Sequence, residues 1–270
     1  MSKVDPPNLG RLGFGISGPH GSAMVSTRST RKLIEQAILG GIRTFDTGPS
    51  YGRGEAERRL GLVLREVDRQ NLFITTKAGQ TEFGTSDWSP AAIRDSLGRS
   101  LDRLRIPAVD GFFLHGPAPE NLSDEMFSVL DDLRGQGVFS YLGIAGRGPE
   151  LDVAIASDQF DLIMMPMGPG AMSTNGPRAD LARQVGLKII GIEMISHSRK
   201  PWRISARPAD WWHMVRQVIR QDHVSSGQDP LTALRQALRT SPTDMVLSST
   251  TRHKHVQQWL DCLDELADAT

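Results

Sequence analysis

Four side chains that carry or hold protons fall at or just beyond the ends of three apolar runs. Asp46 follows the run at 42–45, and Tyr51 lies in the Gly-, Pro- and Ser-containing turn at 46–54. Lys77 comes near the end of LFITTKAG at 72–79, and His115 near the end of VDGFFLHGP at 109–117. A carboxylate, a phenol, an ammonium and an imidazole brought together form a proton-transfer cluster. Tyrosine starts near pKa ~10. A neighbouring ammonium favours the tyrosinate, and a carboxylate keeps that ammonium charged and in place. An imidazole orients an oxygen or relays a proton. Each residue alone also has a plainer reading: Asp46 as a loop cap through backbone amides, Lys77 as a solvated strand-end charge, His115 as a brace for the Gly-Pro turn. Tyr51 is informative because the chain has two tyrosines, and the other, Tyr141, falls inside an apolar run.

The cluster forms only if those runs end on one rim. Read in order, strands are expected at 12–16, 42–45, 72–79 and 109–117, then in FSYLGIAGRG, FDLIMMPMGPG, LKIIGIE and DMVLSST. They are nearly continuous apolar stretches without alternation, as when both faces are buried. Helices are expected between them. The first, at 27–39, follows a Ser26 or Thr27 cap, sets Leu33, Ile34, Ala37 and Ile38 on one face, and stops at Gly40 and Gly41. The second, at 55–67, has Glu55 and Glu57 in its first turn, where the helix dipole favours them, and Leu60, Val63 and Leu64 inward. The third, at 90–104, starts after Ser89-Pro90 and spaces Ile93, Leu97, Leu101 and Leu104 helically. Further helices are expected at 124–134, 151–156, 179–185, 211–220, 229–238 and 253–267. Eight strands separated mostly by helices predict a (β/α)8 TIM barrel, with a doubly wound parallel sheet as the alternative. No linker, low-complexity tract or repeat divides the chain, so residues 1–270 read as one domain. In such strand-loop-helix repeats the carboxyl rim is where chemistry is done.

Composition narrows the class. The chain has 270 residues, 39% hydrophobic and 23% charged, with formal net charge +0. Neutrality gives no electrostatic case for nucleic acid or an acidic membrane surface. The single cysteine, Cys262, excludes an internal disulfide and reads as a packing residue in a helix. No run reaches the ~20 apolar residues needed to span a bilayer, and the first ten residues lack a signal-peptide core. A cytoplasmic protein acting on a small molecule is expected, and its oligomeric state is unreadable. The aromatics Phe83, Trp88, Trp202, Trp211 and Trp212 are candidates to line the mouth or to pack elsewhere.

With those residues in view, the chain resembles the aldo-keto reductase family, whose tetrad is Asp, Tyr, Lys and His. The matching stretches are FDTGPSYG with Asp46 and Tyr51, TTKAG with Lys77, and FLHGP with His115. The likeness extends from LGFGISG to VLSSTTRHKHV. It implies an NADP-dependent oxidoreductase that interconverts an aldehyde, ketone or sugar carbonyl and its alcohol by hydride transfer. Tyr51 would be the acid in reduction and the base in oxidation, Lys77 and Asp46 its support, and His115 the group that orients the substrate oxygen.

The chain lacks a GxGxxG after a strand, so a Rossmann site is not indicated. The resemblance instead implies an extended NADP across the barrel mouth, its adenosine phosphate near the eighth strand and the following helix. There Ser248, Ser249 and Thr250 offer hydroxyls, and Arg252, Lys254 and His255 offer positive charge for a 2′-phosphate, with Gln258 one turn on. NADPH is the expected cofactor, and NAD is possible. The family often has Arg where His255 aligns and Glu-Asn where Gln258-Trp259 aligns. The nicotinamide end departs further. The family's Ser-Asn after strand five aligns with Ala145-Gly146, its Gln on strand six with Met164 or Met165, and its strand-seven Tyr with about Ile192. Three lost polar contacts at ~1 kcal/mol each weaken cofactor binding by roughly a hundredfold. Two other classes therefore stay open: a binding or regulatory module that no longer transfers hydride, and a non-redox lyase or isomerase using Tyr51 and Lys77.

Overall fold

Each apolar run hydrogen-bonds between its neighbours in chain order, which closes the sheet on itself. The computed structural model describes residues 7–195 and 228–268. Its strands are β1 Leu12–Gly15, β2 Thr44–Asp46, β3 Phe73–Ala78, β4 Val109–His115, β5 Phe139–Ala145, β6 Leu162–Pro166, β7 Lys188–Ile192 and β8 Met245–Ser248. All eight form a closed barrel in that order. Every pairing is parallel, and β8 returns to β1 at Leu12↔Val246. Closure removes the edges that a doubly wound sheet would leave.

The strand period of two divides the apolar residues into two cores. One face of each strand fills the barrel with Phe73, Phe113, Leu162, Met164, Ile190 and Met245. The other face, with Phe14, Phe45, Ile74, Phe112, Leu114, Ile144 and Ile163, packs against the helices. Gly143 lets the Phe113 ring lie across the barrel, because a Cβ there would fall 2.3 Å from Phe113 Cε1.

The described α-helices are α1 Thr27–Leu39, α2 Glu55–Leu64, α3 Pro90–Leu104, α4 Asp124–Gly135, α5 Glu150–Ala156, α6 Met172–Gln184, α7 Pro230–Thr240 and α8 His253–Ala267. Ser26, Ser89, Ser123 and Asp229 cap α1, α3, α4 and α7 by accepting from backbone N–H groups in the first turn. The inward faces expected for α1, α2 and α3 are buried, with Ile38 and Leu101 at their margins.

Several bounds differ from expectation. Strand β2 runs into Asp46 itself, because Asp46 pairs with Gly15 on one side and Thr75 on the other. Helix α2 ends at Leu64, short of the expected 67. Helix α6 starts at Met172 rather than 179, with Pro177 inside it. A proline inside a helix removes an intrahelical hydrogen bond and ordinarily breaks or kinks it. The helix instead tolerates it, while buried Asn175 donates to Pro166 O at 2.8 Å and ties the first turn to β6. The expected helix at 211–220 and the candidates Trp202, Trp211 and Trp212 lie outside the described residues.

Candidate active site

Register brings the four candidate residues to one sector of the carboxyl rim. Asp46 ends β2 opposite Thr75 of β3, Lys77 lies beside Phe113 of β4, and His115 ends β4 beside Ala145. Alternation points Asp46, Thr75, Lys77 and His115 to the barrel side. Tyr51 reaches the same place from the β2–α2 loop. Its N–H bonds Gly48 O at 3.1 Å, and its carbonyl accepts from Ala56 N at 3.3 Å. The residues after it, Gly52, Arg53 and Gly54, all have positive φ (63°, 56° and 77°), a left-handed run that turns the chain into α2.

Lys77 is 1% exposed and Asp46 3%. Lys77 Nζ donates to Asp46 Oδ2 at 2.5 Å, to Oδ1, and to Thr47 O at 2.8 Å. Thr75 Oγ1 donates to Asp46 Oδ1 at 2.7 Å. The ammonium also sits 5.2 Å from the centre of the Tyr51 ring. Burial by itself would lower the pKa of this lysine. The Asp46 charge, Tyr51 and the hydrogen bonds to both outweigh burial and raise its pKa above the ordinary value.

His115 goes the other way. Its ring meets the Tyr51 ring edge-on, with centres 6.2 Å apart. Burial first, then the Lys77 and Arg147 charges, push its pKa down to about 3. It is therefore a neutral imidazole at working pH, and its buried Nδ1 has no hydrogen-bond partner within the protein. A buried nitrogen of this kind costs free energy unless a ligand or water meets it.

The other expected positions spread around the mouth. At the end of β5, Ala145 is buried beside Met164, and the Gly146 N–H is already given to Met164 O at 3.0 Å. Glu150 fills the space beside Gly146, where a Cβ would meet its Oε1 at 2.1 Å. That oxygen accepts from Arg147 N at 2.6 Å and Gly148 N at 2.9 Å. The Arg147 guanidinium reaches past β6 to Glu193 in a two-pronged ion pair of 2.8 and 2.7 Å, and Glu193 takes a positive φ of 60° to meet it. At the end of β8, Ser248 and Thr250 are buried and Ser249 is exposed. Thr250 Oγ1 lies 2.9 Å from His255 Nδ1 and accepts from Arg252 N at 3.3 Å. The Arg252 side chain at the N-cap does not cap α8, and no acidic residue occupies its first turn. Those N–H groups, with Arg252, Lys254 and His255 beside them, fit an anion. Gln258 is half-buried on the next turn, before Trp259, which packs on Phe14.

Sequence reasoning missed the groups that support this rim. Thr75 carried a signal, standing two positions before Lys77 on the same strand face. Glu150 and His20 carried none: one is a helix-start acid, the other a lone histidine in a glycine-rich loop. Tyr141 stays away from the rim, pairing with Gly111 and stacking near Phe73 with ring centres 5.8 Å apart. Trp88 packs over Gly79, where a Cβ would meet its ring, and Phe83 projects 77% exposed from the β3–α3 loop. Cys262 is buried, and burial raises its thiol pKa, which fits packing rather than reactivity. No group of His, Cys, Asp and Glu suited to a metal occurs among the described residues, and none of their helices is long and apolar enough to cross a membrane.

A closed parallel (β/α)8 barrel with an acid–base cluster at its carboxyl rim defines a barrel of the enzyme-bearing kind. The chain belongs to the aldo/keto reductase family, whose family model matches residues 11–163, a stretch that contains Asp46, Tyr51, Lys77 and His115. It is 29% identical over 160 residues to D-threo-aldose 1-dehydrogenase from Pseudomonas sp, covering 49% of each chain. It is 30% identical over 185 residues to L-galactose dehydrogenase from Arabidopsis thaliana, covering 64% of this chain and 55% of that one. The chain thus spans about half the length of these curated relatives. Its fold superposes with a TM-score of 0.75 on an aldo-keto reductase from Bacillus halodurans in holo form, at 22% identity, over 94% of this chain and 86% of that one.

Proposed function

We propose that the protein interconverts a small carbonyl compound and its alcohol, with NADPH as the expected partner and NADH as the possible one. The observation that carries this reading is the buried Lys77 ammonium, held by Asp46 and set beside Tyr51. A fixed, water-excluded cation there stabilises tyrosinate relative to phenol. A reduced nicotinamide, when bound, supplies the hydride. Tyr51 gives its phenolic proton to the substrate oxygen, and Lys77 steadies the negative charge left behind. His115, neutral, has its unpartnered nitrogen available to hold that oxygen and is not the acid. In the reverse direction Tyr51 takes the proton back.

Arg252, His255, Ser249, Thr250 and the α8 N-terminus would hold the adenosine phosphate, with Ser248 and Gln258 flanking. Ala145 and Gly146 would offer only backbone to the nicotinamide end. The names of the relatives, aldose and galactose dehydrogenases, support a sugar or similar polyol as substrate class. A protein that holds nucleotide without turning it over is the second reading. It is favoured by Glu150 standing where the family carries an amide side chain.

Tyr51→Phe decides between them. It keeps the ring packing and removes the acid, so NADPH-dependent reduction of an aldose or a generic aldehyde should fall by about 10²–10⁴-fold. NADPH binding, read by its fluorescence, should stay within a few-fold. Wild-type protein that binds neither NADPH nor NADH at high micromolar concentration would overturn the enzyme reading. Binding without turnover would leave the second one.

A further inference from the structure

The β1–α1 connection contains a short 3-10 turn, Gly18–Gly21, that touches two functional segments at once. His20 in it is wholly buried. Its Nε2 lies 2.9 Å from Thr250 O and its Nδ1 3.3 Å from Thr30 Oγ1, while its carbonyl accepts from Arg59 Nη1 at 2.7 Å. A carbonyl oxygen can only accept, so Nε2 carries the hydrogen in its contact with Thr250 O. Arg59 anchors the same loop through Val25 O at 2.6 Å and Ser22 O at 3.2 Å.

On one side of His20, Gly21 lies directly on the Tyr51 loop. A Cβ at Gly21 would fall 2.6 Å from Tyr51 O, and one at Gly52 would fall 1.9 Å from Gly21 O. On the other side, His20 holds the Thr250 backbone. The Thr250 hydroxyl accepts from Arg252 N at 3.3 Å and lies 2.9 Å from His255 Nδ1, so the same turn holds both residues of the proposed anion site. One imidazole therefore stands between the backbone that carries the proposed acid and the turn that shapes the proposed anion site.

We propose that His20 is a positioning residue that couples the Tyr51 loop to the anion-binding turn ahead of α8. The inference rests on the carbonyl–alcohol reading above for its functional consequence, not for its structural claim. His20→Gln places an amide nitrogen near the Nε2 position and keeps the donor to Thr250 O. His20→Asn reaches only the Nδ1 position and leaves that carbonyl unpaired. The probe for the anion site is adenosine 2′,5′-bisphosphate, which carries no nicotinamide. In the Asn variant its dissociation constant should rise about tenfold, and backbone amide exchange should quicken at 250–252 and at 51–54. The Gln variant should restore both. If a carbonyl substrate turns over, kcat should follow the same order. A histidine that merely packs would lower thermal stability in both variants alike and leave these two segments no faster than their neighbours, which would overturn the proposal. Should the Asn variant not fold, wild-type protein answers the same question. Adding the bisphosphate should slow exchange at 51–54 through the His20 bridge, and no slowing there would sink the coupling. If wild type binds neither the bisphosphate nor NADPH, the proposed function fails separately. The exchange comparison between Asn and Gln then still decides whether His20 couples the two loops.

Discussion

Lys77 and His115 are both taken out of water, yet they settle in opposite charge states because only Lys77 gains a carboxylate. Asp46 holds Lys77 charged beyond its ordinary range, whereas His115 meets two cations and stays neutral down to about pH 3. Its unfolded counterpart takes up a proton below about pH 6.5. The neutral folded form therefore contributes fully above that value, and stability is lost as pH falls from there toward 3. A rate profile for reduction should accordingly show no limb from His115 between about pH 5 and 7, a range in which an ordinary histidine titrates. A limb in that range that disappears in His115→Gln would assign it the proton instead. Lys77→Met tests the other side. It leaves Asp46 buried without its ion, so unfolding free energy should drop by ~3–5 kcal/mol. The double variant Asp46→Asn with Lys77→Met should recover part of that loss in urea titrations. In whatever activity the single variant keeps, the basic limb should move to higher pH, because the cation that favours tyrosinate is gone. An unchanged limb would make Lys77 a structural residue only.

The strands and the capped helices were legible because their signals are local. Apolar runs, Ser-Pro starts and glycine stops read out one element at a time, and closure in sequence order follows from eight such units. What escaped was set by neighbours distant in sequence. Helix α6 keeps Pro177 inside a helix whose first turn is tied to β6 through Asn175, a contact no window of sequence displays. The Phe113–Gly143 fit is equally invisible, since it pairs residues on adjacent strands. Gly143→Ala should drive its methyl into the Phe113 ring and destabilise the barrel by ~1–3 kcal/mol. Phe113 neighbours Lys77 in register, so turnover should fall as well. Gly98→Ala is the matched control: it lies on the exposed side of α3 with open space around it. It should stabilise by ~0.5–1 kcal/mol through helix propensity alone. Equal urea midpoints for the two variants would remove the packing argument.

Across the whole mouth, the candidate site divides into a cluster that short motifs revealed and a rim that they did not. The tetrad residues come from three consecutive strands and one loop, so each motif carried its own residue to the same sector of the carboxyl rim. The rest of the ring depends on loops whose partners are elsewhere, such as Arg147 with Glu193 and Glu150 under Gly146. The β5–β7 side therefore presents an ion pair and a carboxylate held by backbone N–H groups, and the β8 side presents Arg252, Lys254 and His255 around a helix start without an acidic residue. The 2′-phosphate is the group that distinguishes NADPH from NADH, and it would meet the β8 side alone. One charge-assisted contact contributes ~1.5–3 kcal/mol, so NADPH should bind about tenfold to a hundredfold tighter than NADH. Raising salt toward ~1 M, where the Debye length shrinks to ~3 Å, should narrow the gap. Arg252→Ala combined with His255→Ala should bring the two nucleotides toward parity without changing NADH affinity. Substituting Gly146→Asn to restore an amide should fail by itself, because its Cβ meets Glu150 Oε1. Paired with Glu150→Ala, it should tighten NADPH and NADH by the same factor, since their nicotinamide ends are identical. Equal wild-type affinities for the two nucleotides, indifferent to salt, would reduce the basic turn before α8 to a solvated helix start.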